Sequence, residues 1–255
     1  MRNWMMAALS LTLAMTVTAC NSTERPEGDR PDRAEATRSG NADNVATKAY
    51  DITGFTGVKV TGPDDVTIRR GDAFSISAKG PQSALDELEV DMDGDTLSIG
   101  RKREGFSFSN RGNDKIAITI TLPRLAAVRL TGSGSVDADS IDGDAVEAVL
   151  TGSGDLKIAS MTGKAAKLSV SGSGDIEIAG GRIDNGKYSV TGSGDIDAEG
   201  LVARTLDVSV TGSGNVDSQA TGNADVSILG SGDVTLGGGA KCASRKVGSG
   251  TVTCK

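Results

Sequence analysis

Four carboxylates, Asp155, Asp175, Asp195 and Asp233, each stand three residues after the first glycine of a Gly-Ser-Gly tripeptide. If those tripeptides belong to stacked parallel strands, neighbours in the column lie about 5 Å apart. Each adjacent pair then repels by about 0.9 kcal/mol even in bulk water, so a fold that keeps the column must compensate it. One compensation is a calcium ladder, since oxygen-rich columns suit that ion. The other is that each Asp, like Ser135 and Asn215 in the same column, bonds the backbone of its own turn and is solvated. Ser135 and Thr251 at the ends of the column, and the lack of a calcium-binding nonapeptide repeat, favour the second.

Enzymatic chemistry finds little to work with. Histidine is absent, which removes the commonest general base at neutral pH and the commonest zinc ligand. Carboxylates with Arg or Lys in a groove serve β-helical polysaccharide lyases, and Arg182, Arg204 and Glu199 are the residues such a site would recruit. Their spacing does not converge them, and the single tryptophan, Trp4, lies in the leader described below. No catalytic residue, cofactor or resident metal is therefore expected. Without Arg2 of that leader, 26 basic residues face 34 acidic ones, a net charge of −8, with both signs interleaved. No basic stripe exists to hold a nucleic-acid backbone.

The three cysteines divide into one and two. Arg2 followed by the apolar run Trp4 to Val17 reads as a secretory signal too short to span a bilayer as a helix. Its ending, Val17-Thr18-Ala19-Cys20, resembles the bacterial lipobox, in which the cysteine thiol takes a diacylglycerol before cleavage. Two or three acyl chains anchor essentially permanently, at about 0.8 kcal/mol per buried methylene. Asn21 stands where an inner-membrane retention signal would have aspartate, so in a two-membrane cell the outer membrane is favoured. Cys242 and Cys254 lie six residues before and six after Gly248, at inward parities of the last unit. In an exported, oxidising compartment they should pair, closing a loop of about 13 residues for roughly 3 kcal/mol.

The elements that must position these groups follow from the repeat. Residues 1–19 are the signal, and residues 20–48, rich in Pro, Glu, Asp, Arg, Ser and Gly, cannot offset ordering entropy by burial and form a disordered tether. From there to residue 255 runs one β domain, irregular over 49–126 and repetitive over 127–255. Gly-Ser-Gly begins at Gly132, Gly152, Gly172, Gly192, Gly212, Gly230 and Gly248, a period of 20 that shortens to 18. Two residues before these glycines stand Leu130, Leu150, Val170, Val190, Val210 and Ile228, and four after stand Val136, Leu156, Ile176, Ile196, Val216, Val234 and Val252. Alternation of two turns these columns inward and the polar ones outward, on either side of the turn. A looser second turn is expected around Gly143, Gly163, Gly181, Gly200 and Gly222.

Parallel coils stacked as a β-solenoid and an antiparallel meander both fit. The solenoid is preferred, because near-identical units let each column stack on itself. A transmembrane barrel would need aromatic girdles and an apolar outer face. Upstream, Val60-Thr61-Gly62-Pro63-Asp64-Asp65-Val66-Thr67-Ile68 reads as a degraded copy of the unit, and strands are expected at 73–78, 88–92, 96–99 and 115–122, with a tight turn at Asp93-Gly94. This part should cover the amino-terminal end of the stack, where open strand edges would recruit other chains.

The lipobox, the opening Phe55-Thr56-Gly57-Val58-Lys59-Val60, the Val-Thr-Gly-Ser-Gly-Asp-Ile units at Val190–Ile196 with counterparts at Val170–Ile176 and Val210–Val216, and the terminal cysteine pair together resemble the bacterial putative auto-transporter adhesin head GIN-domain lipoprotein family. The resemblance implies an all-β, single-stranded right-handed β-helix and no catalytic residues. The expected function is a non-enzymatic cell-envelope lipoprotein, a surface or periplasm-facing binding and structural module of adhesin type. Its partners would be the membrane, through the amino-terminal lipid, and a protein or polysaccharide ligand. The alternatives are a polysaccharide-modifying enzyme on a β-helix scaffold and a calcium-dependent assembly element.

Overall fold

The computed structural model describes residues 45–102 and 115–255. The amino-terminal part contributes β1 (Val45–Tyr50), β2 (Gly57–Gly62), β3 (Asp65–Arg70), β4 (Ser75–Pro81), a short helix α1 (Gln82–Glu87), β5 (Leu88–Asp93), β6 (Thr96–Arg101) and β7 (Ala117–Leu122). The repeats supply β8 (Ala127–Gly132), β9 (Ser135–Ala138), β10 (Ile141–Gly152), β11 (Asp155–Ile158), β12 (Met161–Gly172), β13 (Asp175–Ile178) and β14 (Gly181–Gly192). They continue as β15 (Ile196–Gly212), β16 (Val216–Ala220), β17 (Asn223–Gly230), β18 (Val234–Gly237), β19 (Lys241–Gly248) and β20 (Val252–Cys254). Every pairing between successive repeats is parallel, and the columns before the glycines stay in register, Leu150 with Val170, Val170 with Val190, Val190 with Val210. Parallel register decides for the solenoid, of about six turns, over the meander.

Stacking explains why the turn is Gly-Ser-Gly. The first glycine of each copy has φ between 124° and 137°, a region that L side chains rarely occupy. A Cβ there would also lie 2.0–2.4 Å from the carbonyl oxygen of the matching glycine one coil earlier. That oxygen is where the coils are joined: Gly152 O accepts from Ser173 N at 2.9 Å and from Gly174 N at 3.1 Å. A Cβ on the second glycine would come within 2.0–2.2 Å of the carbonyl below it. Both glycines are thus excluded from carrying a side chain by the neighbouring coil.

The inward columns form one continuous core of Val, Ile, Leu and Ala, in which Leu130, Leu150, Val170, Val190, Val210 and Ile228 are all buried. Each such side chain contributes roughly 1.5–3 kcal/mol by leaving water. Tyr188 is the one ring in the repeats. It fits because Gly186, whose Cβ would meet Leu206 at 2.7 Å and Tyr188 itself at 3.0 Å, leaves the space. Its hydroxyl and that of Ser218 are buried toward one another without reaching hydrogen-bond geometry. Burial pushes the Tyr188 hydroxyl far above its ordinary pKa of 10.0, against a smaller pull from Ser218.

Val60-to-Ile68 is a coil in register, as its sequence predicts: Val60 pairs with Leu130, Gly62 with Gly132 and Val66 with Val136. Spatial order then departs from chain order. β6 and β7 pair in parallel with β2 and β3 on the side away from the repeats, so a later segment lies beneath an earlier one. β4 runs antiparallel to β7 and β1, and β5 antiparallel to β6 around Gly94, whose φ is 64°. Buried Phe55, Ala84, Leu85 and Leu88 complete the floor.

Two expectations need correction. The folded body begins at Val45 rather than 49, because Val45 to Lys48 pair with Ala78 to Pro81 despite few apolar side chains. The second glycines form no single column: Gly143 and Gly163 align with Ile183, while Gly181 aligns with Met161 and Leu201. The long strands run through that region and bend at Asp144, Lys164 and Asp184, positions their register skips. The period shortens where β15 loses register with β16 between Ala198 and Val202. Helix α1 carries no sequence signal that the strand reading used.

Candidate binding groove

The aspartate column holds neighbouring coils together. Asp175 Oδ1 accepts from Asp195 N at 2.8 Å, Asp195 Oδ1 from Asn215 N at 2.6 Å and Nδ2 at 3.0 Å, and Asp233 Oδ1 from Thr251 N at 2.7 Å. Asn215 Oδ1 continues the ladder to Asp233 N at 3.0 Å. The partner is the next coil's backbone and not the residue's own turn, because the coil above presents its N–H one strand spacing away. Asp155 stands in register with Asp175 at the lower end. Among the described residues no group of three or more His, Cys, Asp or Glu is placed to hold a metal ion. Arg182, Arg204 and Glu199 stand on separate columns, and no ion pair joins them.

Cys242 and Cys254 form a disulfide. They align with buried Ala224 and Leu236, so their parity is inward, yet Cys242 is half-buried and Cys254 exposed because this is the last coil. Cys20 lies outside the described residues.

One concavity has no counterpart in the sequence reading. A groove of about 580 Å³ crosses six adjacent strands of one sheet, from Thr96 on β6 to Lys187 on β14. Its apolar floor is mostly small residues, Ala127, Ala145, Ala165, Ala166 and Gly186, with Val146 among them. One wall carries Arg129, Glu147, Lys167 and Lys187, and Thr56 with Asp95 closes the amino-terminal end. Glu147, Lys167 and Lys187 are consecutive members of one outward column, five residues before the first glycine. The signal was present in the repeat alignment, but it is a mixed-charge column and mixed charge reads as a solvated face.

Glu147 is shared between Arg129 and Lys167, the latter at 2.8 Å. Burial works against its ionisation, but the Lys167 hydrogen bond and the charges of Arg129 and Lys167 outweigh it and hold its pKa below the ordinary value. Lys187 makes no ion pair among the described residues. The wall therefore keeps an uncommitted cation beside an apolar floor. At the outer bend Lys164 sits 2.9 Å from Asp144, which lowers the Asp144 pKa and raises that of Lys164.

The family described as putative auto-transporter adhesin, head GIN domain, matches residues 54–240. The chain belongs to this family. The matched GIN region includes the whole groove and stops before β19. Solved structures share its fold. A putative adhesin from Bacteroides fragilis NCTC 9343 is 21% identical, with TM-score 0.72 over 84% of this chain and 98% of that one. A crystal structure described as a putative lipid binding protein from Parabacteroides distasonis ATCC 8503 is 24% identical, with TM-score 0.66 over 84% and 98%. A putative adhesin from Parabacteroides merdae ATCC 43184 is 21% identical, with TM-score 0.64 over 85% and 98%. No protein of curated function matches the chain.

Proposed function

We propose that this GIN-family chain is a non-enzymatic, lipid-anchored binding module of the bacterial cell envelope, adhesive in character, and that its groove receives an acidic polysaccharide. The observation that carries this is the wall of Arg129, Lys167 and Lys187 beside a floor of Ala and Gly. Small residues leave room for an extended polymer, and Lys167 and Lys187, one strand spacing of roughly 4.8 Å apart in one column, match a polymer that bears a charge on each unit. The lipobox ending at Cys20 supports attachment, and the outer membrane is favoured by Asn21. The family's adhesin character supports a location in the envelope.

The test uses the full chain solubilised in detergent, with polygalacturonate as probe and neutral dextran as control. Binding of the acidic polymer alone is expected, weakened about tenfold or more by joint Lys167→Ala and Lys187→Ala substitution. Equal binding of dextran, or none of either, would overturn the groove reading. Palmitate labelling that disappears in Cys20→Ala tests the anchor separately, and external protease on intact cells reads which way the domain faces.

A further inference from the structure

Among the described residues, the strands at the two ends of the solenoid's groove-bearing sheet each lack a partner on one side and are oppositely charged. Along the groove-bearing sheet the last strand at the amino-terminal end is β5, bonded only to β6, and at the other end it is β19, bonded only to β17. From Gln82 to Asp95 the chain carries six carboxylates and no cation, and from Ala240 to Lys255 four cations and no acidic side chain. Glu89, Asp91 and Asp93 are exposed on the outward side of β5, since Leu88, Val90 and Met92 align with inward residues of β6. Lys241 and Arg245 are exposed on the outward side of β19, whose inward positions align with buried Ala224, Val226 and Ile228. No ion pair engages Glu89, Asp91, Asp93, Lys241 or Arg245 among the described residues.

A second observation points to the same surfaces. The exposed large apolar side chains among the described residues are Val45, Met92, Leu229 and Val247. Val45 and Met92 are on the edge strands β1 and β5. Val247 is on β19, and Leu229 is its aligned neighbour on β17. At the matching positions of the interior coils stand Thr151, Ser171, Thr191 and Thr211. Apolar exposure is thus confined to the two ends, which marks interaction surfaces.

We propose that copies of this chain associate end to end, the acidic β5 edge of one pairing with the basic β19 edge of the next. β5 runs antiparallel to the rest of its sheet, so the joint is an antiparallel strand pair that continues the sheet from copy to copy. Its outward side sets Glu89, Asp91 and Asp93 against Lys241 and Arg245. Like ends repel, so the contact is heterologous and propagates as a linear stack.

Carbodiimide, which joins carboxylates to amines in contact, tests this on the detergent-solubilised full chain. A ladder of multimers is expected, its linking peptide joining Glu89, Asp91 or Asp93 to Lys241, fading as salt screens the contact. Charge reversal at one end, Lys241→Glu with Arg245→Glu, or at the other, Glu89→Lys with Asp91→Lys, should each cut the ladder about tenfold or more. Mixing the two variants should restore it, because each then meets its complement. Unchanged thermal melting of the variants separates loss of association from loss of fold. A ladder indifferent to both reversals, a monomer at all concentrations, or capture of polygalacturonate by the basic end without self-association would overturn the proposal. The groove substitutions above leave this assay unaffected, so the two readings fail separately.

Discussion

Gly134 and Asp64 occupy the same place in two adjacent coils, yet one has no room for a side chain and the other buries a carboxylate. A Cβ on Gly134 would lie 2.1 Å from the Asp64 carbonyl oxygen. Beneath Asp64 lie Arg101, at the end of β6, and Ile116, just before β7, in place of a Gly-Ser-Gly turn, and an ion pair fills the space. Arg101 reaches Asp64 through Nε at 3.1 Å and through Nη2, and Ile116 N donates to the same carboxylate at 3.0 Å. Glycine in these turns is therefore a consequence of having an identical neighbour below. Gly62 keeps its glycine for φ, at 132°, with nothing nearer its absent Cβ than 4.0 Å.

The sharpest way to break this comparison is to add one methyl group in each environment. Gly172→Ala meets both the φ strain and a backbone oxygen at 2.2 Å, and should cost roughly 4 kcal/mol or more, about 1–3 from each source. Gly62→Ala meets φ strain alone and should cost only about 1–2 kcal/mol. Urea denaturation of the two variants measures the difference. Equal losses would mean that stacking does not impose the glycine.

Next in size is the device that replaces glycine at the lower end. Arg101→Ala leaves the Asp64 carboxylate, 2% exposed, without its charged partner, and should destabilise by about 3–4 kcal/mol. A loss under about 1 kcal/mol, the range of exposed pairs, would show that the cap is held by its apolar floor alone.

What was legible in the sequence follows the same division. In the stack, spacing alone located the turns, the inward columns and the disulfide, because each coil meets a copy of itself and periodicity is the contact map. In the cap it located β2 to β7 but neither β1 and α1 nor the spatial order of the strands. Nothing in the types of Thr96 to Arg101 says that they lie beneath Gly57 to Gly62, since that placement depends on non-local pairing. The groove was hidden differently. Ala145 and Ala165 look like ordinary outward residues until the strand bend at Asp144 and Lys164 makes their side concave. The aspartates were read correctly as hydrogen-bonding groups but assigned the wrong partner, because a sequence shows the turn an Asp belongs to and not the coil above it.

At the upper end a covalent bond does what packing does elsewhere. Val252 is only half-buried and Ser244 and Lys246 are exposed at inward parities, so the last coil has little apolar burial to hold it. Cys254→Ser should lower stability by about 2–3 kcal/mol, the value for a loop of this size. The loss should concentrate in faster amide exchange of β19 and β20, with the interior coils retaining their protection. Uniform acceleration along the stack would show that the ends are not separate from the middle.

The smallest effect contrasts a paired interior charge with the unpaired terminal ones. Glu147 has a folded pKa below its ordinary 4.5, held there by Lys167 and Arg129 against the cost of burial. A depressed carboxyl pKa contributes stability that is present above the unfolded value and is lost as pH falls through the folded value. The difference between the parent chain and Glu147→Gln should therefore be constant from neutral pH down to about 5 and vanish at lower pH. The pair is partly solvated, so its size stays within about 1 kcal/mol. Lys246→Gln, removing a cation without a partner, should show no such step at any pH. Denaturation midpoints of the three proteins across that range decide it: a pH-independent loss in Glu147→Gln would mean that the residue acts through packing at the groove wall and not through its charge.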